Sequence, residues 1–103
     1  SGNTRSAALP DVPTAKQAGQ AEFQLSIWSA MFAPKGTPKD VVAKLAGALN
    51  QALDDPAVAK RLADLGGTVP AKADRGPAPL GKLLKADIAR WDPILKAAAA
   101  ESK

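Results

Sequence analysis

The chain contains neither cysteine nor histidine. Disulfides, zinc sites built from cysteine and histidine, and a Ser-His-Asp triad are therefore impossible within it. Tyrosine is also absent, and aromatic residues make up only 4% of the sequence. No apolar run approaches the roughly 20 residues that a membrane-spanning helix needs. The sequence contains no catalytic motif, and we expect no enzymatic activity, no metal and no cofactor.

The first residues, SGNTRS, are polar and lack the apolar region of a secretion signal. If the chain is a piece of a longer protein, this absence has no meaning, because a signal would lie upstream. At 103 residues the natural count is a single domain covering residues 1–103. Much of the 46% hydrophobic content is alanine, which buries little area. We therefore expect a thin core, and an isolated chain that self-associates to cover apolar surface.

The net charge of +4 raises the question of an anionic partner. Lysine and arginine are scattered along the whole chain without a dense cluster, and aromatic side chains suited to base stacking are scarce. A solvated basic surface is the simpler interpretation. A small basic nucleic-acid-binding module, or a protein-interaction module, remains the rival hypothesis; a salt-dependent shift of DNA or RNA would support the former.

Residues 22–33 carry the pattern of a long β-strand. Phe23, Leu25 and Ile27 alternate with polar residues, and beyond Ile27 both faces become apolar, with Trp28 and Phe32 on the second face. The pattern predicts one long strand, or two strands joined by a bend. Residues 68–70 predict a short edge strand, whose pairing Pro70 limits.

Three helices are predicted after the long strand. Thr37 and Pro38 form a helix start, Asp55 and Pro56 form a second, and a third helix begins near Leu80. Their apolar residues recur at helical spacing, and Trp91 lies on the stripe of the third helix, where we predict a core position. Periodicity thus predicts an α+β chain with one or two long strands, three substantial helices and one short strand.

Three residues are the best candidates for binding a ligand: Thr14, Trp28 and Ser29. Thr14 and Gln17 have the spacing of a capping box, at whose helix start free backbone N–H groups could hold a carboxylate. Trp28 and Ser29 could form one wall of a cleft. The simpler alternatives are plain capping for Thr14 and a core position for Trp28, and we favour both alternatives.

The order of these signals resembles the C-terminal part of the Bug-type periplasmic solute receptors, the binding subunits of tripartite tricarboxylate transporters. The resemblance runs from about Leu9 to Ala98. It is carried by LPDVPTAKQAG, by WSAMFAPKGTPK, by the Asp55-Pro56 start and by residues 88–91. Where the family usually has an acidic residue this chain has Gln17, and where it has aromatic or glycine residues this chain has Ser29 and Ala30.

The resemblance implies that the chain is the C-terminal portion of a longer, two-domain α/β clamshell receptor. Such a receptor captures small carboxylated solutes in the periplasm and delivers them to membrane transporter subunits. The partners implied are the solute and those subunits, with no nucleic acid. Most of the ligand site would then lie outside this chain, and the 103 residues alone would not bind solute.

Overall fold

The computed structural model describes residues 2–102, in which three α-helices are the main elements. Helix α1 spans Lys39–Asp54, α2 spans Pro56–Asp64 and α3 spans Pro77–Glu101. A single 3₁₀ turn, Lys72–Asp74, precedes α3. The three helices predicted from periodicity are confirmed. None of the helices in the described part of the chain is both long and apolar enough to cross a membrane.

The predicted strands are wrong. Residues 2–102 contain no β-strand: residues 23–34 and 67–71 have no regular secondary structure. The α+β prediction is therefore corrected to a helical chain with long irregular segments. The physical reason is that a strand is stabilised by hydrogen bonds to a neighbouring strand, and its side-chain preferences are insufficient alone. The only other predicted strand was three residues long and contained Pro70, which donates no backbone hydrogen bond.

Local signals explain where the helices begin and end. At the start of α1, the N–H of Val42 donates to the carbonyl of Pro38 at 3.1 Å. At the start of α2, the carboxylate of Asp55 accepts a hydrogen bond from the N–H of Ala57 at 2.8 Å, with proline at the first helical position. Gly66, at φ +80°, ends α2 in the left-handed conformation that glycine adopts without strain.

The chain divides into two compact units, each built from two separate segments. The first unit holds the chain up to Lys35 together with Leu53–Val69, which includes α2. The second contains Gly36–Ala52, which includes most of α1, and the chain from Pro70 onward. The single-domain assignment for residues 1–103 stays a prediction, and its end residues, Ser1 and Lys103, lie outside the described residues.

One arginine connects two elements of the second unit by hydrogen bonds. Arg75, in the loop before α3, donates from Nε to the carbonyl of Pro70 at 3.0 Å and from Nη1 to Oδ1 of Asn50 at 2.9 Å. Asn50 lies near the end of α1. The guanidinium therefore links α1 to the loop that leads into α3, and the 3₁₀ turn packs on α3 itself.

No hydrophobic side chain among residues 2–102 is fully buried. Ile27 is 94% exposed, and Trp91, which was predicted to be core, is half-buried. The expected thin core is confirmed. The apolar stripes predicted for the helices are present, but packing among the described residues does not bury them fully.

Candidate functional site

A single hydrogen-bonded turn surrounds Thr14. The Thr14 N–H donates to Oε1 of Gln17 at 3.1 Å, and the Gln17 N–H donates to Oγ1 of Thr14 at 3.2 Å. This reciprocal pair is the capping box that the spacing predicts. Gly19, at φ +87°, ends the turn, and the N–H of Gln20 closes it on the carbonyl of Ala15 at 2.8 Å.

Arg5 ties the start of the chain to this turn. Its Nε donates to the same Oε1 of Gln17 at 2.9 Å, and its Nη1 donates to the carbonyl of Pro10 at 2.9 Å. Sequence reasoning missed this contact because Arg5 and Gln17 are 12 residues apart, with no periodic element between them. The Gln17 amide oxygen thus accepts two hydrogen bonds, one of them from a cation. A carboxylate at this position would add an ion pair with Arg5, which the neutral glutamine does not form.

Thr14 is the one fully buried polar residue among those described, at 6% exposure. Its hydroxyl accepts the Gln17 N–H, and its own N–H is bound by the Gln17 side chain. These bonds give Thr14 a structural role in shaping the turn. They also leave its side chain little access to a solute, which agrees with the capping interpretation.

Trp28 and Ser29 lie in the irregular segment of the same unit. Trp28 is half-buried and Ser29 is exposed. Because no strand forms there, the expected alternation of faces does not fix where the two side chains point. The segment therefore carries an indole and an accessible hydroxyl on consecutive residues, and the described residues do not hold it in a sheet.

Two carboxylates of α3, which belongs to the second unit, line an apolar depression. Asp87 and Asp92 flank a surface formed by Ile88, Trp91 and Leu95. Asp92 accepts a hydrogen bond from Lys96 at 2.7 Å, an exposed (i, i+4) ion pair that contributes little to stability. No group of acidic side chains that could hold a metal ion occurs among the described residues. This surface resembles a helix face that lacks its packing partner.

The relation to known proteins is decided by one match over nearly the whole sequence. The model of the tripartite tricarboxylate transporter family receptor matches residues 1–99. The chain belongs to this receptor family. The resemblance to Bug-type receptors is thereby confirmed, and the family is one of receptors rather than enzymes.

Several curated relatives agree with this family assignment. A UPF0065 protein from the TAR-I ttuE-ttuC' intergenic region of Agrobacterium vitis is 45% identical over 91 residues, covering 87% of this receptor-family chain and 26% of the relative. Protein BugT of Bordetella pertussis is 35% identical over 102 residues, covering 96% of the chain and 29% of BugT.

A UPF0065 protein from the clcB-clcD intergenic region of Pseudomonas knackmussii is 35% identical over 89 residues, covering 85% of the chain and 51% of the relative. The chain thus spans about a quarter of the length of the first two relatives and about half of the third. Comparison with solved structures gives no significant match.

Proposed function

We propose that this chain forms part of a periplasmic receptor that captures small carboxylated solutes and delivers them to the membrane subunits of a tripartite transporter. The observation that carries the proposal is the receptor-family match over residues 1–99. The net charge of +4 is in keeping with an anionic solute, because a positive surface raises the local concentration of anions.

Within this chain, we place the solute contact at Trp28 and Ser29. A half-buried indole offers an apolar wall, and the neighbouring hydroxyl offers one hydrogen bond to a carboxylate oxygen. Thr14 contributes indirectly, by shaping the turn that precedes this segment in the same unit. Gln17 itself carries no charge, so that an anionic solute meets no carboxylate at that position.

The 103-residue chain alone should bind solutes weakly or not at all. Receptors gain affinity by enclosing a ligand and supplying several convergent polar groups. Trp28 and Ser29 offer one wall, and one or two exposed hydrogen bonds, each worth about 0.5–1.5 kcal/mol, do not offset the entropy lost on binding.

Titration calorimetry tests this proposal on two proteins, the 103-residue chain and a receptor of its relatives' full length that contains it. Citrate, succinate, glutamate and nicotinate serve as probes. We expect binding at about micromolar Kd only for the longer protein, and a weaker Kd in its Ser29→Ala variant, with Ser26→Ala as the matched control. Micromolar binding by the short chain would contradict the assignment of most of the site to the rest of the receptor. No binding of any probe by the longer protein would contradict the carboxylate class.

The exposed apolar side chains also bear on the behaviour of the chain by itself. With no fully buried hydrophobic residue among those described, two copies gain by covering each other's surface. We propose that the isolated chain self-associates, whereas in the longer receptor the remaining sequence covers the same surface.

A further inference from the structure

The irregular segment Phe23–Ala33, called here the apolar segment, presents several large side chains to solvent. Ile27 is 94% exposed, Met31 and Phe32 are each 66% exposed, and Phe23 is 58% exposed. Side chains of this size supply a substantial part of the roughly 800 Å² that each partner buries in a standard interface. The segment also contains no glycine and no proline.

The charges around the apolar segment favour one particular occupant. No charged residue occurs from Phe23 to Pro34, while Glu22 lies just before this stretch and Lys35 just after it. Two identical segments side by side in the same direction bring Glu22 next to Glu22 and Lys35 next to Lys35. Side by side in opposite directions, they bring Glu22 of each copy close to Lys35 of the other. Antiparallel contact between two copies is therefore free of like-charge repulsion and gains an ion pair at each end.

We propose that two copies of this chain associate through their apolar segments, paired antiparallel about a twofold axis near Trp28. This rests on the self-association proposed above and names its surface and geometry. An antiparallel pair is compatible with the twofold symmetry of an isologous dimer, in which the same patch is used by both copies. Ile27 and the aromatic residues that predicted a strand then obtain a neighbouring strand, which residues 2–102 of a single chain do not provide.

Sedimentation equilibrium of the 103-residue chain measures the association over roughly 5–500 μM, because standard-size interfaces reach only micromolar affinity at their weak end. We expect a monomer–dimer equilibrium. Ile27→Lys should raise the dimer Kd by about tenfold or more, because each dimer loses two apolar side chains and gains two charges. Leu65→Lys is the matched control: Leu65 is 73% exposed in the same unit but lies outside the apolar segment.

A charge exchange tests the antiparallel geometry separately. Glu22→Lys should weaken the dimer, and the double variant Glu22→Lys/Lys35→Glu should restore it, since the opposite charges again lie beside each other. Circular dichroism checks that α1–α3 remain in every variant. A monomer throughout the concentration range would overturn both self-association and its geometry. A dimer that is insensitive to Ile27→Lys, or one that Ile88→Lys on α3 dissociates instead, would overturn the geometry alone. None of these outcomes alters the solute proposal, which calorimetry tests on the longer receptor.

Discussion

Asp55 shows how one side chain fixes the junction between two helices. Its carboxylate accepts the Ala57 N–H at 2.8 Å, while Pro56 supplies a backbone angle suited to the first helical position. Only one residue separates α1, which ends at Asp54, from α2, which begins at Pro56. The Asp55 cap therefore allows α2 to begin after a single non-helical residue.

Asp55→Ala should lower the population of helix α2, because its first turn loses a hydrogen-bond acceptor. The expected cost is about 0.5–2 kcal/mol, measured locally from the Cα chemical shifts of residues 56–64 by NMR. Asp55→Asn retains a capping oxygen and should behave like the parent chain. Asp64→Ala, which removes only the exposed pair with Lys60, is a second control. Equal loss of helix in the Asp55→Ala and Asp64→Ala variants would contradict the capping role.

Gln17 is the second residue on which a local arrangement depends. Its amide oxygen accepts hydrogen bonds from the Thr14 N–H and from Arg5. Gln17→Ala should release both donors and speed amide exchange at Thr14, by about fivefold for a loss of about 1 kcal/mol. Gln20→Ala removes a side chain of the same type just after the turn and serves as the control. Unchanged exchange at Thr14 in the Gln17→Ala variant would show that the side chain does not hold the turn.

At the scale of elements, the sequence predicted those features that depend on neighbouring residues. The start of α1 directly after Pro38, the start of α2 at Pro56, the stop at Gly66 and the capping box at Thr14 all involve contacts within about five residues, and each appears in the structure. The strand over residues 22–33 does not, because a strand requires a partner that its own pattern cannot supply. Within the candidate site, only the turn at Thr14 could be predicted from the residues that neighbour it in the sequence.

Longer-range contacts account for the other differences between prediction and structure. The hydrogen bond from Arg5 to Gln17 crosses a loop of irregular backbone, so no periodic signal indicates it. Trp91 lies on the predicted apolar stripe, but a stripe predicts burial only if another element packs on it. The structure leaves Ile88 and Leu95 beside it 58% and 62% exposed.

The Arg75 link between α1 and the loop before α3 gives a prediction at this scale. Arg75→Lys should weaken it, because a single ammonium cannot reproduce a planar fork that reaches Pro70 and Asn50 together. We expect amide exchange in residues 71–76 to rise about fivefold, which corresponds to about 1 kcal/mol. Arg61→Lys, on α2 in the other unit, is the matched control. If Arg75→Lys exchanges like the parent chain, the guanidinium geometry is not what holds the loop.

At the scale of the whole molecule, the absence of fully buried hydrophobic residues among those described is the dominant property. Cooperative unfolding depends on a core whose side chains all become exposed in the same step. The isolated chain should therefore melt gradually and bind the dye ANS, which reports accessible apolar surface. Thermal circular dichroism and ANS fluorescence check this, with a receptor of its relatives' full length as the reference. A sharp melting transition without ANS binding would show that the chain builds a core of its own.

The interleaving of the two units affects how the gene can be divided. Neither unit is a continuous stretch: the polypeptide passes from one to the other after Lys35, after Ala52 and after Val69. Deleting residues from either end therefore cannot yield one unit by itself, since each truncation that removes one unit's terminal segment leaves that unit's other segment attached. Recombination faces the same restriction, because exchanging one unit between two genes requires breakpoints at all three crossings. One of these crossings lies inside α1, where an insertion would also interrupt a helix. Recombination with fewer breakpoints among these three crossings therefore leaves one unit assembled from two different parents.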